Sequence, residues 1–316
     1  MRILHNLDEI VAAGGPCVVT IGNFDGVHLG HQQLLSRVRQ AATARGMQAV
    51  AVSFDPHPIR VLAPDRAPRT LTTMERRAAL MEPLGIDALV VLPFTRELAR
   101  LSPAVFANNV LVNGLRAASV HVGPNFRFGY RQAGGVDTLA ELGAAMGFEV
   151  EVIPAVEYRG AGVSSTRTRK ALDEGRVIYA GRLLGRPFSN TGRIVSGHGV
   201  GRAQTVPTLN LQPREEQLPR TGVYVTRTIL DGVRHQSLTN IGYRPTFDNG
   251  HHLSVETYLL NFSGAITQAE MEVEYLLRLR DEMKFHSAAI LRAQIQEDVR
   301  RAGKFFSLLE KLGAHR

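Results

Sequence analysis

His28 and His31 stand three residues apart in Gly22-Asn23-Phe24-Asp25-Gly26-Val27-His28-Leu29-Gly30-His31, where a β-branched run hands over to a helical pattern. At that spacing two side chains share one face of a helix. A helix N-terminus offers free N–H groups and partial positive charge, and flanking glycines let a nucleotide backbone approach closely. The stretch therefore suits a triphosphate. A second set of polar atoms follows Pro207, where Thr208 and Asn210 alternate along an extended chain and direct two oxygens the same way. Such a pair can share a hard cation, and Mg²⁺ takes oxygen ligands while bridging nucleotide phosphates. A zinc site built from His28, His31 and His57 is the competing chemistry for the imidazoles, and it leaves the glycines unexplained.

The elements that must carry these residues are legible from periodicity. Cys17 to Ile21 reads as a strand, and Leu29, Leu34, Leu35, Val38 and Ala42 mark a helix that Gly46 can stop. Further strands are expected at Ala49–Phe54, Ala88–Leu92, Ser119–Val122 and Glu149–Ile153, alternating with helical stretches such as Val136–Met146. That alternation predicts a parallel α/β sheet. After about residue 183 strand-like runs follow one another at Gly192–Ser196, Gly222–Leu230, Val233–Ile241 and Leu253–Asn261, with Asp231-Gly232 as a hairpin turn. Ser287 to Leu312 reads as a closing amphipathic helix with Ile290, Leu291, Ile295, Val299, Phe306 and Leu309 on its apolar side. A small antiparallel barrel capped by a helix is expected there.

Composition narrows the classes. A chain of 316 residues is long enough for two domains, each with its own core, and 44% apolar with 21% charged residues is ordinary for a folded protein. No stretch resembles a leader peptide or reaches the roughly 20 apolar residues of a membrane helix. Cys17 is the only cysteine, so no internal disulfide forms, and a cytoplasmic, reducing setting is expected. The net charge of +8 suits nucleic acid, but it equally suits anionic nucleotides, and the arginines form no single stripe interleaved with aromatics.

By itself His-x-x-His is a weak motif. Here three more blocks follow in order: Phe54-Asp55-Pro56-His57-Pro58, Gly123-Pro124-Asn125-Phe126-Arg127-Phe128-Gly129, and Ser164-Ser165-Thr166-Arg167-Thr168-Arg169. The set resembles the nucleotidyltransferase superfamily that includes class I aminoacyl-tRNA synthetases, and within it the prokaryotic bifunctional riboflavin kinase/FMN adenylyltransferase family. Pro207-Thr208-Leu209-Asn210, Gly222-Val223-Tyr224, Asn240 to Phe247, Val255-Glu256-Thr257 and Leu279 to Phe285 are similar to that family's kinase half, so the resemblance covers nearly the whole chain.

The resemblance implies a Rossmann-like α/β nucleotidyltransferase domain over residues 1–183 and a flavokinase antiparallel β-barrel with a C-terminal helix over residues 184–316. It implies phosphorylation of riboflavin to FMN in the second domain and adenylylation of FMN to FAD in the first, each with ATP and with Mg²⁺. For the first site it implies that His28 and His31 hold the triphosphate and stabilise charge at the α-phosphate. Gly22, Asn23, Phe24, Asp25, Gly26, Gly30, Asn125, Ser164, Ser165, Thr166 and Arg169 would lie at the nucleotide. Phe54, Pro56, His57, Pro58, Phe126 and Phe128 would lie at the flavin. For the second it implies Thr208 and Asn210 as ligands of Mg-ATP, Glu256 as the base for the riboflavin 5′-hydroxyl, Gly197 and Arg202 at the nucleotide, and Arg280 and Glu282 at the flavin.

The chain departs from the family pattern between Gly197 and Val206, where His198 and Arg202 stand in a loop poorer in glycine and arginine, and Leu209 replaces a small alanine. Two other outcomes follow from these features: an adenylyltransferase whose second domain only binds flavin, and a basic nucleic-acid-binding protein. The expected partners are riboflavin, FMN, FAD and ATP, with no nucleic acid and no membrane; weak homo-oligomerisation stays open.

Overall fold

Parallel strands buried on both faces need near-continuous apolar runs, and the first half of the chain supplies them. The computed structural model describes residues 1–7, 15–195, 208–245, 251–263 and 266–313. Its contacts divide the chain into two compact units, Met1–Ser165 and Thr166–Arg316.

In the first unit β1 (Arg2–Leu4), β2 (Cys17–Ile21), β3 (Gln48–Asp55), β4 (Ala88–Pro93), β5 (Ala117–Val122) and β6 (Glu149–Val152) form one sheet in the order β1-β4-β3-β2-β5-β6. Every pairing in it is parallel. All five residues of β2 are buried. Val19 and Ile21 pack into a core on one face with Val50, Val52 and Leu139, while Val18 packs on the other with Leu35, Val38 and Ala51. Each of the valine, leucine and isoleucine side chains contributes about 1.5–3 kcal/mol by leaving water. The helix α1 (Leu29–Arg45) starts at a His28 cap and stops at Gly46, whose φ of 63° is the left-handed conformation expected of a glycine there. Glu149 and Glu151 of the edge strand β6 reach Arg45 and Arg37 of α1. Strand order reverses between β2 and β5, so the crevice at their carboxyl ends is the natural ligand position of such a sheet.

The first unit also holds α2 (Pro58–Leu62), α3 (Met74–Met81), α4 (Pro103–Phe106), α5 (Val136–Met146) and a small ribbon of β7 (Glu157–Tyr158) and β8 (Ala161–Gly162). The second unit takes most of α6 (Ser165–Asp173), then α7 (Val177–Leu184), which packs on the barrel strands β9 (Phe188–Val195) and β14 (Glu270–Arg280). With β10 (Leu209–Pro213), β11 (Gly222–Leu230), β12 (Val233–Pro245) and β13 (His251–Leu259), these close an antiparallel barrel in the order β10-β13-β12-β11-β14-β9. Sequence reading put the change of character near residue 183; in the structure residues 166–183 pack with the barrel. Asp231 and Gly232 take φ of 46° and 79°, the turn geometry that matches the twist of the hairpin they join.

Along β11, Val223 and Val225 pack with Leu238 of β12 against Ala302 and Phe306 of α8 (Ala288–Lys311). The alternate positions carry hydroxyls: Thr226, Thr228, Ser237, Thr239 and Thr257 are buried and bonded to one another at 2.8–2.9 Å. The expected helix is present with Ser287 as its cap, but Ile290 is 53% exposed. The fully buried residues of α8 begin at Asp298, while Leu291 and Ile295 in its first turns are half-buried. Strands β10 and β14 and helices α6 and α7 are absent from the sequence expectation. In β14 the pattern Glu270-Met271-Glu272-Val273-Glu274-Tyr275 alternates cleanly, and Met271, Val273 and Tyr275 are the buried members.

Candidate active sites

The first site lies where the strand order predicts. A cavity of about 260 Å³ is lined by Ile21 and Gly22 after β2, by Gly123, Pro124, Asn125 and Phe126 after β5, and by Phe24, His28, Gly30 and His31. Its remaining wall is Leu34, Ile153 to Val156, and Val163. His28 caps α1 by accepting from the His31 backbone N–H at Nδ1, 3.3 Å away, so its own proton sits on Nε2. The two imidazoles stack at 3.6 Å between centroids, and the Phe24 ring meets His31 edge-on at 5.2 Å. Nδ1 of His31 is sealed from water and has no hydrogen-bond partner among the described residues. Burial, then the neighbouring His28 and Arg77, holds the His31 pKa well below the ordinary imidazole range.

The structure sorts the remaining expected residues. Ser165 donates its hydroxyl to the Asp25 carbonyl at 2.8 Å, which fixes the Ser/Thr segment to the glycine loop. The Asp25 carboxylate turns away from the cavity and accepts from the backbone N–H groups of Leu71 and Thr72. Asn23, Gly26 and Ser164 are not among the residues that line the cavity. Phe126 stacks on Phe128 at 5.5 Å, with Phe128 itself buried in the core. Phe54 packs edge-on against Phe94, and His57 caps the short helix that opens at Pro58; neither they nor Pro56 line the cavity. Among the described residues no cluster of three His, Cys, Asp or Glu side chains can hold a metal, so His57 does not complete a zinc site with His28 and His31. Thr166 and Arg169 lie on α6, in the second unit.

A further histidine of this unit, His121, is buried in β5, with Ser119 Oγ 3.0 Å from Nε2 and Glu151 3.3 Å from Nδ1. Its pKa is lowered by burial, which outweighs the opposing pull of Glu151. Both imidazoles bind a proton less readily folded than unfolded. Their contribution to stability is therefore complete above about pH 6.5 and is lost as pH falls below it, by up to about 1.4 kcal/mol per pH unit for each group. Thermal melts at pH 8, 6.5 and 5 should give a midpoint that is flat over the first interval and falls over the second. An unchanged midpoint down to pH 5 would contradict this.

The second site is set by strand register. Asn210 of β10 lies directly opposite Glu256 of β13, and Glu256 directly opposite Asn240 of β12. Opposed residues carry their Cβ atoms about 4.5–5.5 Å apart on one face of a sheet. The Ser254 hydroxyl lies 3.3 Å from Glu256 Oε1 and 3.2 Å from the Gly242 carbonyl. A Cβ on Gly242 would stand 2.2 Å from Glu282 Oε1 and push that side chain aside, so the Glu282 carboxylate lies against that backbone beside the Asn240 amide. Thr208 immediately precedes β10 and is exposed. Leu209 opposes Thr257, a member of the buried hydroxyl set, and so occupies the face opposite to Asn210. Arg280 binds Asp298 of α8 through Nε and Nη2 at 2.7–3.2 Å and stands over the Phe285 ring. Gly197 and Arg202 lie outside the described residues. Oxygen donors from Asn210, Glu256 and Asn240 gathered on one face are the chemistry a hard cation accepts.

Asn240, Ser254 and the wall from Ile153 to Val156 escaped sequence reading. The first two become site residues only through cross-strand register. The wall follows the end of β6 and was open to the carboxyl-end rule.

A family model described as FAD synthetase matches residues 11–167, and one described as riboflavin kinase matches residues 184–306. The chain is 38% identical over 299 residues to a bifunctional riboflavin kinase/FMN adenylyltransferase of Pseudomonas fluorescens, covering 95% of this chain and 96% of that one. It is 35% identical to the protein of the same description in Listeria monocytogenes, with 93% of each chain covered. For the Escherichia coli K12 protein so described, the identity is 34% and 98% of each chain is covered. A solved structure described as a macrolide-efflux protein from Streptococcus pneumoniae has a TM-score of 0.84 at 28% identity, covering 94% of this chain and 97% of that one.

Proposed function

We propose a division of labour between the two sites, from the premise that the chain belongs to the bifunctional riboflavin kinase/FMN adenylyltransferase family. It phosphorylates riboflavin to FMN with one ATP and adenylylates FMN to FAD with another. We assign adenylylation to the cavity between β2 and β5, within residues 1–183, and phosphorylation to the β10-β13-β12 face, within residues 184–316. The observation that carries the assignment is the stacked His28–His31 pair at the sheet's switch point, held apart in sequence from the Asn210–Glu256–Asn240 row.

At the first site an FMN phosphate oxygen attacks the ATP α-phosphorus, and pyrophosphate leaves. The chain's part is positioning and charge stabilisation, since such displacements need little covalent help. His28 offers its Nε2–H, and His31 brings a neutral ring stacked on it along the same cavity wall. The N–H groups at the start of α1 receive phosphate oxygens. Gly22, Gly30 and Asn125 admit the nucleotide, with Ser165 holding the loop and Thr166 and Arg169 following on α6. Phe126 faces the flavin, backed by Phe128, with Phe54, Pro56, His57 and Pro58 toward the same substrate.

At the second site Glu256 takes the proton of the riboflavin 5′-hydroxyl while that oxygen attacks the γ-phosphorus of ATP and ADP leaves. Ser254 holds the carboxylate by one oxygen. Thr208 and Asn210 would hold Mg²⁺, which when bound neutralises charge on the ATP phosphates. Arg280, locked by Asp298, sets the path of the chain into Glu282, which faces the flavin. The net charge of +8 serves the anionic phosphates of ATP, FMN and FAD.

The test is chromatography of products from riboflavin, ATP and Mg²⁺, with a parallel reaction begun from FMN and a third in excess chelator. FMN and FAD from riboflavin, FAD from FMN, and neither product under chelation are expected. FAD from FMN alone would leave the second unit a flavin-binding domain.

A further inference from the structure

The loop that carries the histidines is strained. Phe24 and Val27 take φ of 49° and 40°, left-handed conformations that a bulky or β-branched residue rarely adopts. Such a backbone persists only where its surroundings over-determine it.

Here the surroundings are a buried ion pair between Asp25 of the loop and Arg77 of α3 (Met74–Met81), with the turn before that helix. Arg77 and Asp25 are 5% and 2% exposed, with Nη2 3.1 Å from Oδ1. Nη1 of Arg77 donates to the Asn23 carbonyl at 2.9 Å, Nη2 to the Thr72 carbonyl at 3.2 Å, and Nε to the Thr72 hydroxyl at 3.3 Å. That hydroxyl also accepts from the Gly26 N–H at 2.9 Å. One guanidinium fork thus grips the loop at Asn23 and Asp25 and reaches Gly26 through Thr72. We propose that Arg77 is a positioning residue for adenylyl transfer, clamping the Gly22–Val27 loop through Asp25 and Thr72 so that His28 and His31 face the cavity.

Arg77 has a second effect, by charge. The ionisable groups acting on His31 are His28 from its own loop and Arg77 from α3, with Asp25 paired to Arg77, and the Arg77 charge helps keep the His31 ring neutral. Lysine keeps the charge and loses the fork, while methionine loses both. The two effects therefore separate.

The inference rests on assigning adenylyl transfer to this cavity. The experiment measures FAD formation from FMN against pH in the full chain for Arg77→Lys, Arg77→Met and His31→Ala, with FMN formation from riboflavin as an internal check of folding. Arg77→Met should lower kcat by about a hundredfold, the cost of a loop displaced by an ångström, and should move the acid limb to higher pH. Arg77→Lys should lower kcat by about tenfold with the acid limb in place. FMN formation should be unchanged in both. Arg77→Met with kcat within twofold of wild type and an unmoved acid limb would overturn the clamp. Should Arg77→Met lose both activities through misfolding, Arg77→Lys decides, and wild-type kcat in that variant would overturn it. Undiminished FAD formation by His31→Ala would overturn the site assignment, and the clamp with it.

Discussion

Glu256→Gln should retain less than about 1% of the rate of riboflavin phosphorylation while forming FAD from FMN at the wild-type rate, since a positioned base is worth about 10²–10⁴-fold. The substitution is nearly isosteric. It keeps an oxygen for the Ser254 hydroxyl and leaves the register of β13 with β10 and β12 untouched. What it removes is the capacity to take a proton at a point directly opposite Asn210. Initial rates of FMN and FAD formation on one preparation decide the matter. A Glu256→Gln rate within tenfold of wild type would reduce the Asn210–Glu256 pair to an ordinary strand contact.

The converse result is expected of His31→Ala. FAD formation from FMN should fall by about 10²–10³-fold, the range found on deleting one preorganised donor at a developing oxyanion. FMN formation from riboflavin should persist. His31 stacks on His28 at 3.6 Å, so the substitution also removes a support for the remaining imidazole, and ATP affinity should weaken together with kcat. A further signature accompanies it: without His31 one of the two imidazoles with lowered pKa is gone, so the loss of thermal stability between pH 6.5 and pH 5 should be shallower in the variant. Equal acid sensitivity in the two proteins would separate His31 from the titration.

Much of this was open to sequence reading because the relevant patterns are local. The Cys17–Ile21 strand, the stop at Gly46, the Val136–Met146 helix and the Asp231-Gly232 turn all depend on neighbours within a few residues, and the structure has them at those positions. His28 and His31 lie close in sequence, and the helix start brings them together. The clamp could not be read this way: Arg77 meets Asp25 across 52 residues, and nothing in Met74-Glu75-Arg76-Arg77 distinguishes the buried arginine from its neighbour. Asn240 and Ser254 stayed hidden for a related reason, since an antiparallel register is fixed by the whole barrel and not by either strand. β14 was missed although its alternation was present, because its inward residues are separated by glutamates that make the run look polar.

The glutamates of β6 have a consequence for how copies of the protein behave in crowded solution. An open sheet ends in strands whose outer N–H and C=O groups can recruit another chain, the route by which soluble proteins stick edge to edge. On one side of this sheet the last strand, β1, is only three residues long. On the other, β6 sets Glu149 and Glu151 in alternation, tied to Arg45 and Arg37. A strand arriving beside β6 would lie against those charges. The barrel needs no such guard, because closure gives each of its six strands two partners. The two units thus meet one hazard, templated aggregation, by opposite means: a charged border in the first, and no border at all in the second.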